Sequence, residues 1–89
     1  MAKVVFTPNL KRHILCPDTD ADGRTVREVL DAVFASHPQI RAYVLDDQAQ
    51  LRKHMTIFVD GCMIRDRAGL SDAVGNASSV FVMQSLSGG

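Results

Sequence analysis

Thr25-Val26-Arg27-Glu28-Val29-Leu30-Asp31-Ala32-Val33-Phe34 is the stretch on which the fold of this chain turns. Thr25 stands three residues before Glu28, the only glutamate in the sequence. That spacing is a capping box: the hydroxyl accepts the amide hydrogen of the third helical residue while the carboxylate reaches back toward the cap. A helix therefore starts at Thr25. Val26, Val29, Leu30, Val33 and Phe34 then recur at the helical spacing and line one stripe, with Arg27, Asp31 and Ser36 on or near the opposite side. Burying those five side chains contributes about 8–15 kcal/mol, an upper bound before chain entropy is subtracted. Pro38 disfavours helical geometry in the residue before it, so the helix ends at His37.

A stripe that wide needs a sheet to pack on, and the flanking sequence supplies the strands. Toward the N-terminus, Lys3-Val4-Val5-Phe6-Thr7 is short, β-branched and apolar, and Pro8-Asn9 stops it. His13-Ile14-Leu15-Cys16 reads as its hairpin partner, ended by Pro17. The acidic stretch from Asp18 to Arg24 reads as a loop. Its Asp18, Asp20, Asp22 and Gly23 have the order of a calcium loop, but Val29 stands where the bidentate glutamate belongs. Toward the C-terminus, residues 39–45 read as a short turn covering the core with Ile40, Tyr43 and Val44, and Asp46-Asp47-Gln48 as an exposed acidic loop. Met55-Thr56-Ile57-Phe58-Val59 is a strand, and Asp60-Gly61 supplies the positive φ angles of a tight hairpin into Cys62-Met63-Ile64-Arg65. Residues 65–69 read as loop and residues 70–74 as a brief helical turn. Ser79-Val80-Phe81-Val82-Met83-Gln84 is the last strand. The expected class is α+β: a mixed sheet with one main helix packed on one face.

Composition narrows the function. Eighty-nine residues make one small domain, expected over residues 1–84 with a free tail at 85–89; such a chain buries about 60–65% of its unfolded surface. Ten basic residues balance ten acidic ones, which removes the usual electrostatic case for nucleic acid or anionic membranes. Lys11-Arg12-His13 and Arg52-Lys53-His54 read as solvated loop ends. No apolar run approaches the roughly 20 residues that span a bilayer, and the start lacks a signal peptide's apolar segment. A cytoplasmic location is expected. Cys16 and Cys62 lack metal-site spacing, so reduced thiols are expected, and no metal is expected at His13, Cys16, His37, His54 or Cys62.

Two further features point outward from the core. Along the strands, Ile57 and Val59 oppose Phe58, and Val80 and Val82 oppose Phe81 and Met83. Both sheet faces are apolar, and one helix covers only one of them. Phe58, Phe81, Met83, Met63 and Val5 are left as an apolar surface that suits docking, unless loops or a second copy cover it. The chain ends Ser85-Leu86-Ser87-Gly88-Gly89. Fully extended, five residues reach roughly 17 Å, far enough to enter another protein, and two glycines let a catalyst approach the last carbonyl without side-chain clashes. An ordinary frayed end or a Gly-Ser linker remnant also fits that composition.

The strand Lys3-Val4-Val5-Phe6, the loop Pro8-Asn9-Leu10-Lys11-Arg12, the helix start Thr25-Val26-Arg27-Glu28-Val29-Leu30, the strand Ile57-Phe58-Val59-Asp60-Gly61 and the Gly88-Gly89 ending resemble the ThiS/MoaD family of ubiquitin-like sulfur carriers. The resemblance covers nearly the whole chain. It implies a β-grasp, ubiquitin-like fold and a carrier that is not itself an enzyme. Under it, Gly89, presented by Gly88, is the reacting residue. An E1-like adenylating enzyme using ATP and Mg would convert its carboxylate to an acyl-adenylate. Sulfur would then displace AMP to leave a thiocarboxylate. The carrier binds no cofactor of its own. By match to the family's partner-facing surface, Met63 and Met83 are nominated as contacts, with Thr7 at the edge of the first strand; Phe58 and Phe81 of the apolar surface and Leu86 of the tail are expected to bind the partner beside them. The family often carries a bulky apolar residue where Thr7 stands.

The resemblance implies a second partner as well, a sulfur-accepting synthase. Residues 8–13 and 51–60 look closer to the carriers of cysteine synthesis than to shorter thiamine carriers. A cysteine-synthase-like partner is therefore favoured over the large subunit of molybdopterin synthase. A ubiquitin-like modifier conjugated to lysines through Gly89, and a plain β-grasp binding module, stay open beside the carrier.

Overall fold

Thr25 caps α1 (Val26–Ser36) in the computed structural model, which describes residues 1–6 and 19–84. The Thr25 hydroxyl accepts the Glu28 amide at 3.2 Å, and the Glu28 carboxylate accepts the amide of Arg24 at 3.1 Å. The carboxylate reaches one residue past the expected position, and Thr25 itself forms a β-bridge with Ala73. The remaining donors of the first turn are also met: Val26 donates to the Asp72 carbonyl, Arg27 to that of Leu70, and Val29 to that of Thr25. No amide at this helix end is left to water. All five stripe residues are buried.

Five strands form one sheet: β1 (Ala2–Phe6), β2 (Thr19–Ala21), β3 (Met55–Val59), β4 (Cys62–Met63) and β5 (Ser79–Gln84), in the order β2-β1-β5-β3-β4. The central pair, β1 and β5, is parallel, and the other pairings are antiparallel. Val4, Phe6, Ile57, Val80 and Val82 point toward the helices and form the core with Val29, Leu30, Ile40 and Leu70. Asp60 and Gly61 adopt φ of 51° and 86°, the left-handed pair that a two-residue hairpin needs.

Five expectations need correction or fall outside the described residues. The proposed strand 13–16 lies outside them. The strand found on β1 is β2, inside the stretch read as loop, with Ala2 opposite Ala21, Lys3 opposite Asp20 and Val4 opposite Thr19. Its acidic composition argues for a turn, but pairing with β1 buries Ala21 and leaves Asp20 in water. Residues 39–45 are no simple turn: Pro38–Val44 is a second helix, α2. Pro38 both ends α1 and opens α2, because a first helical residue has no use for an amide hydrogen. Ile40 and Val44, one turn apart, are buried, while Tyr43 stays exposed. The segment read as a helical turn at 70–74 is irregular; Leu70 has φ of 55° with its side chain fully buried. Finally, β4 spans only Cys62–Met63, although the Ile64 amide still bonds the Ile57 carbonyl.

Arginines and aspartates tie the loops to this frame. Arg27, placed by periodicity on the solvent side, instead donates to the carbonyls of Ala49, Ala68 and Gly69, lashing two loops to α1. Arg52 donates to the Ala42 carbonyl at 2.8 Å. One Arg67 nitrogen donates to the carbonyls of Arg52 and Met55 at 2.8 and 2.7 Å. The Met55 carbonyl lies on the side of β3 away from β5, so Arg67 closes the sheet edge just where short β4 fails to reach it.

Candidate functional site

The two helices pack on one sheet face and leave the other without a covering element among the described residues. Strand register decides which side chains stand there. Val5 lies opposite Phe81 in the parallel pair, Phe81 opposite Phe58, and Phe58 opposite Met63. Four apolar side chains thus cross four strands in one row. Met63 is 58% and Phe81 41% exposed, while Val5, Phe58 and Met83 are half-buried. One step along the strands, Thr56 lies opposite Met83. The sheet register therefore brings together Phe58, Met63, Phe81 and Met83, the described members of the expected contact set. Thr7, Leu86, Gly88 and Gly89 lie outside the described residues, as do His13 and Cys16.

At the foot of β5 the face deepens into a groove of about 470 Å³, lined by Thr56, Met63, Met83 and Gln84 and by the cations Lys53 and Arg67. β5 runs toward this groove, so residue 84, after which the last five residues follow, stands on its wall. The Thr56 hydroxyl is buried and has no hydrogen-bond partner among the described residues. Sequence reading left Lys53, Thr56, Arg67 and Gln84 out of the site. Thr56 was recoverable, because it alternates in phase with Phe58. Lys53 carried only the weak signal of a basic cluster, and nothing local marked Arg67.

The far end of the row is held by Asp60. Its carboxylate accepts the Ser79 amide at 2.9 Å and the Ser78 hydroxyl at 2.8 Å, and the Ser78 hydroxyl in turn accepts the Gly75 amide at 2.9 Å. These bonds, the Ser79 amide foremost and the Ser78 hydroxyl next, hold the Asp60 carboxyl below its ordinary value despite some desolvation. The chemistry fixes the β3–β4 hairpin to the start of β5 and so sets the register of Phe58 on Phe81. Among the described residues no three His, Cys, Asp or Glu side chains cluster where they could hold a metal ion. Cys62 is exposed and free. No described helix is long and apolar enough to cross a membrane. The face can bind; among the described residues it places no acid, base and nucleophile together.

No protein-family model and no curated protein matches the sequence. Solved structures do. A chain of the BexX/CysO complex of Amycolatopsis orientalis superposes with a TM-score of 0.83 at 23% identity, over 100% of both chains. CysO of Mycobacterium tuberculosis, described as an antigen, gives 0.81 at 21% identity over 97% of this chain and 100% of that one. The small archaeal modifier protein SAMP1 of Haloferax volcanii gives 0.75 at 23%, over 99% and 98%. Likeness at such identities is a likeness of fold. With two helices on one face of a mixed five-stranded sheet, matched end to end by these structures, the chain is a β-grasp protein of the ubiquitin-like fold.

Proposed function

We propose that this protein is a sulfur carrier of the ThiS/MoaD kind, cytoplasmic and without a cofactor of its own. The observation that carries the reading is the placement of β5. One strand contributes Phe81 and Met83 to the uncovered face and then leads directly into Ser85-Leu86-Ser87-Gly88-Gly89. A partner that grips the face therefore has the chain end within roughly 17 Å.

The chemistry lies in the partners. A carboxylate is a poor electrophile, so an E1-like enzyme transfers AMP from MgATP to the Gly89 carboxylate, releasing pyrophosphate. Hydrosulfide then attacks the acyl carbon and expels AMP, leaving a thiocarboxylate that is ionised at neutral pH. A sulfur-accepting synthase takes the sulfur, for cysteine synthesis in the favoured version and for molybdopterin in the other. The match to SAMP1, by its printed name a modifier, favours a second reading, in which Gly89 is joined to lysines of other proteins.

Intact mass tests both. After incubation with an adenylating enzyme, ATP and sulfide, the chain should gain the difference between one sulfur and one oxygen. A chain lacking Gly89 should gain nothing while keeping its fold. Lysine-linked adducts in cells, with no thiocarboxylate, would move the reading to a modifier. An unchanged mass with no adducts would leave only a binding module.

A further inference from the structure

We infer, building on the docking role proposed above, that the groove at the foot of β5 receives a segment of the partner protein in which a carboxylate side chain lies beside an apolar one. Met63 and Met83 give the groove its apolar surface, and methionine adapts its shape to varied partners. Lys53 and Arg67 give it charge, and no carboxylate among the described residues stands on its lining. The whole chain is neutral, so two cations on one lining are a local segregation of charge; Asp46 adjoins Lys53 only on its other side, in a neighbouring hollow with Arg52 and His54.

Four of the five aspartates of the adjoining loops already have donors, and the fifth, Asp47, is exposed and not on the groove's lining. Asp46 accepts the amides of Gln48 and Gln50, Asp60 those already named, Asp66 the Ser71 hydroxyl and the Gly69 amide, and Asp72 the amides of Arg65 and Asp66. Each of these four is turned onto amides or hydroxyls of the chain itself. Arg67 is pinned by two carbonyls, which holds its guanidinium at the rim at little further entropic cost on binding. Lys53 has no hydrogen-bond or ion-pair partner among the described residues and is exposed. A second copy is the wrong occupant: a two-fold contact through this groove would set the Lys53 and Arg67 of one chain against those of the other.

The test is titration of the nitrogen-15-labelled full chain by NMR with acetyl-Leu-Glu-Leu-Glu-Leu-amide and with the same peptide carrying Gln for Glu. The acidic peptide should move the amide signals of Thr56, Met63, Met83 and Gln84 and bind about fivefold more tightly at low salt, the difference shrinking as salt screens the charges. Lys53→Glu, at an exposed side chain, should remove the preference without disturbing the spectrum elsewhere. Equal affinity for the two peptides, or no binding, overturns the proposal. So does a chain cut after Gln84 that binds the acidic peptide more tightly than the full chain, since the tail would then be the occupant. Signals at Met63 and Met83 that shift with protein concentration alone would name a second copy and overturn it too. A chain loaded at Gly89 that shows no peptide preference sinks the groove and spares the carrier; one that shows the preference and is never loaded does the reverse.

Discussion

Phe58 and Phe81 stand directly opposite one another across β3 and β5, on the sheet face that neither helix covers. Opposed side chains in an antiparallel pair lie about 4.5–5.5 Å apart at Cβ, so the two rings form the middle of the row from Val5 to Met63. A charge placed at Phe81 would reach water, because that side chain is already 41% exposed, yet it would stand at the centre of any contact made by the face. Phe81→Asp should therefore cost stability by about 1–2 kcal/mol and lower the rate of loading at Gly89 about a hundredfold. Thermal unfolding and intact mass read the two separately. Normal loading in a folded variant would remove the face from the mechanism.

Gly23 is required by close approach rather than by a left-handed backbone. A Cβ there would lie 2.7 Å from the Val29 nitrogen and 2.9 Å from the Glu28 Cβ, at the first turn of α1. Backbone at a capped helix start has no room to yield. Gly23→Ala should destabilise by about 1–3 kcal/mol, a drop in melting temperature of about 5 °C for each kcal/mol in a domain of this size. Urea melts would show a lower midpoint with an unchanged slope. A melting point within a degree of the parent would mean that the loop moves aside.

How much of this was legible beforehand follows from range of interaction. The cap at Thr25, the stripe on α1, the Asp60-Gly61 turn and the alternation of Phe58 against Ile57 are set by residues within a few positions of each other, and all appear as read. β2 was not legible, because Thr19, Asp20 and Ala21 are strand only through pairing with β1, about seventeen residues away in the chain. α2 was missed because Pro38 was taken as an end and not also as a beginning. The groove joins Lys53, Thr56, Met63, Arg67 and Met83 through sheet register and a loop crossing. Met63 and Met83 were legible as an apolar surface and Thr56 by its alternation, but the cations that complete the groove were not.

Arg67 makes the edge of β3 unavailable to another strand. Its guanidinium fills the acceptors at Met55 and Arg52 where β4 has already ended. Replacement by methionine keeps the aliphatic stem and strips these carbonyls of a charged donor, at a cost of about 1.5–3 kcal/mol. The bared edge should also favour association of chains. Arg67→Met is thus expected to unfold earlier and to sediment with a concentration-dependent dimer, while Lys53→Glu does neither. A stable monomeric Arg67→Met chain would show that water satisfies the edge without help.

Four aspartates connect fold and pH in the same direction. Asp60 is held below its ordinary value of 3.8 by the Ser79 amide and the Ser78 hydroxyl, Asp66 by the Ser71 hydroxyl and then the Gly69 amide, and Asp72 by the Asp66 and Arg65 amides. Asp46 is lowered chiefly by the Gln50 amide. These bonds exist only in the folded chain, so the folded state binds these protons less readily than the unfolded one. Their contribution is complete above the unfolded value, and it is lost as pH falls through the lowered folded values. Denaturant midpoints should hold steady from about pH 7 to about pH 5 and decline below about pH 4. Asp60→Asn tolerates the positive φ at this position but lacks the ionised acceptor. It should be less stable than the parent at neutral pH, and the two should converge in acid once the parent's Asp60 is protonated. A gap between them that stays constant into strong acid would mean that the Asp60 charge contributes nothing and that shape alone holds the hairpin to β5.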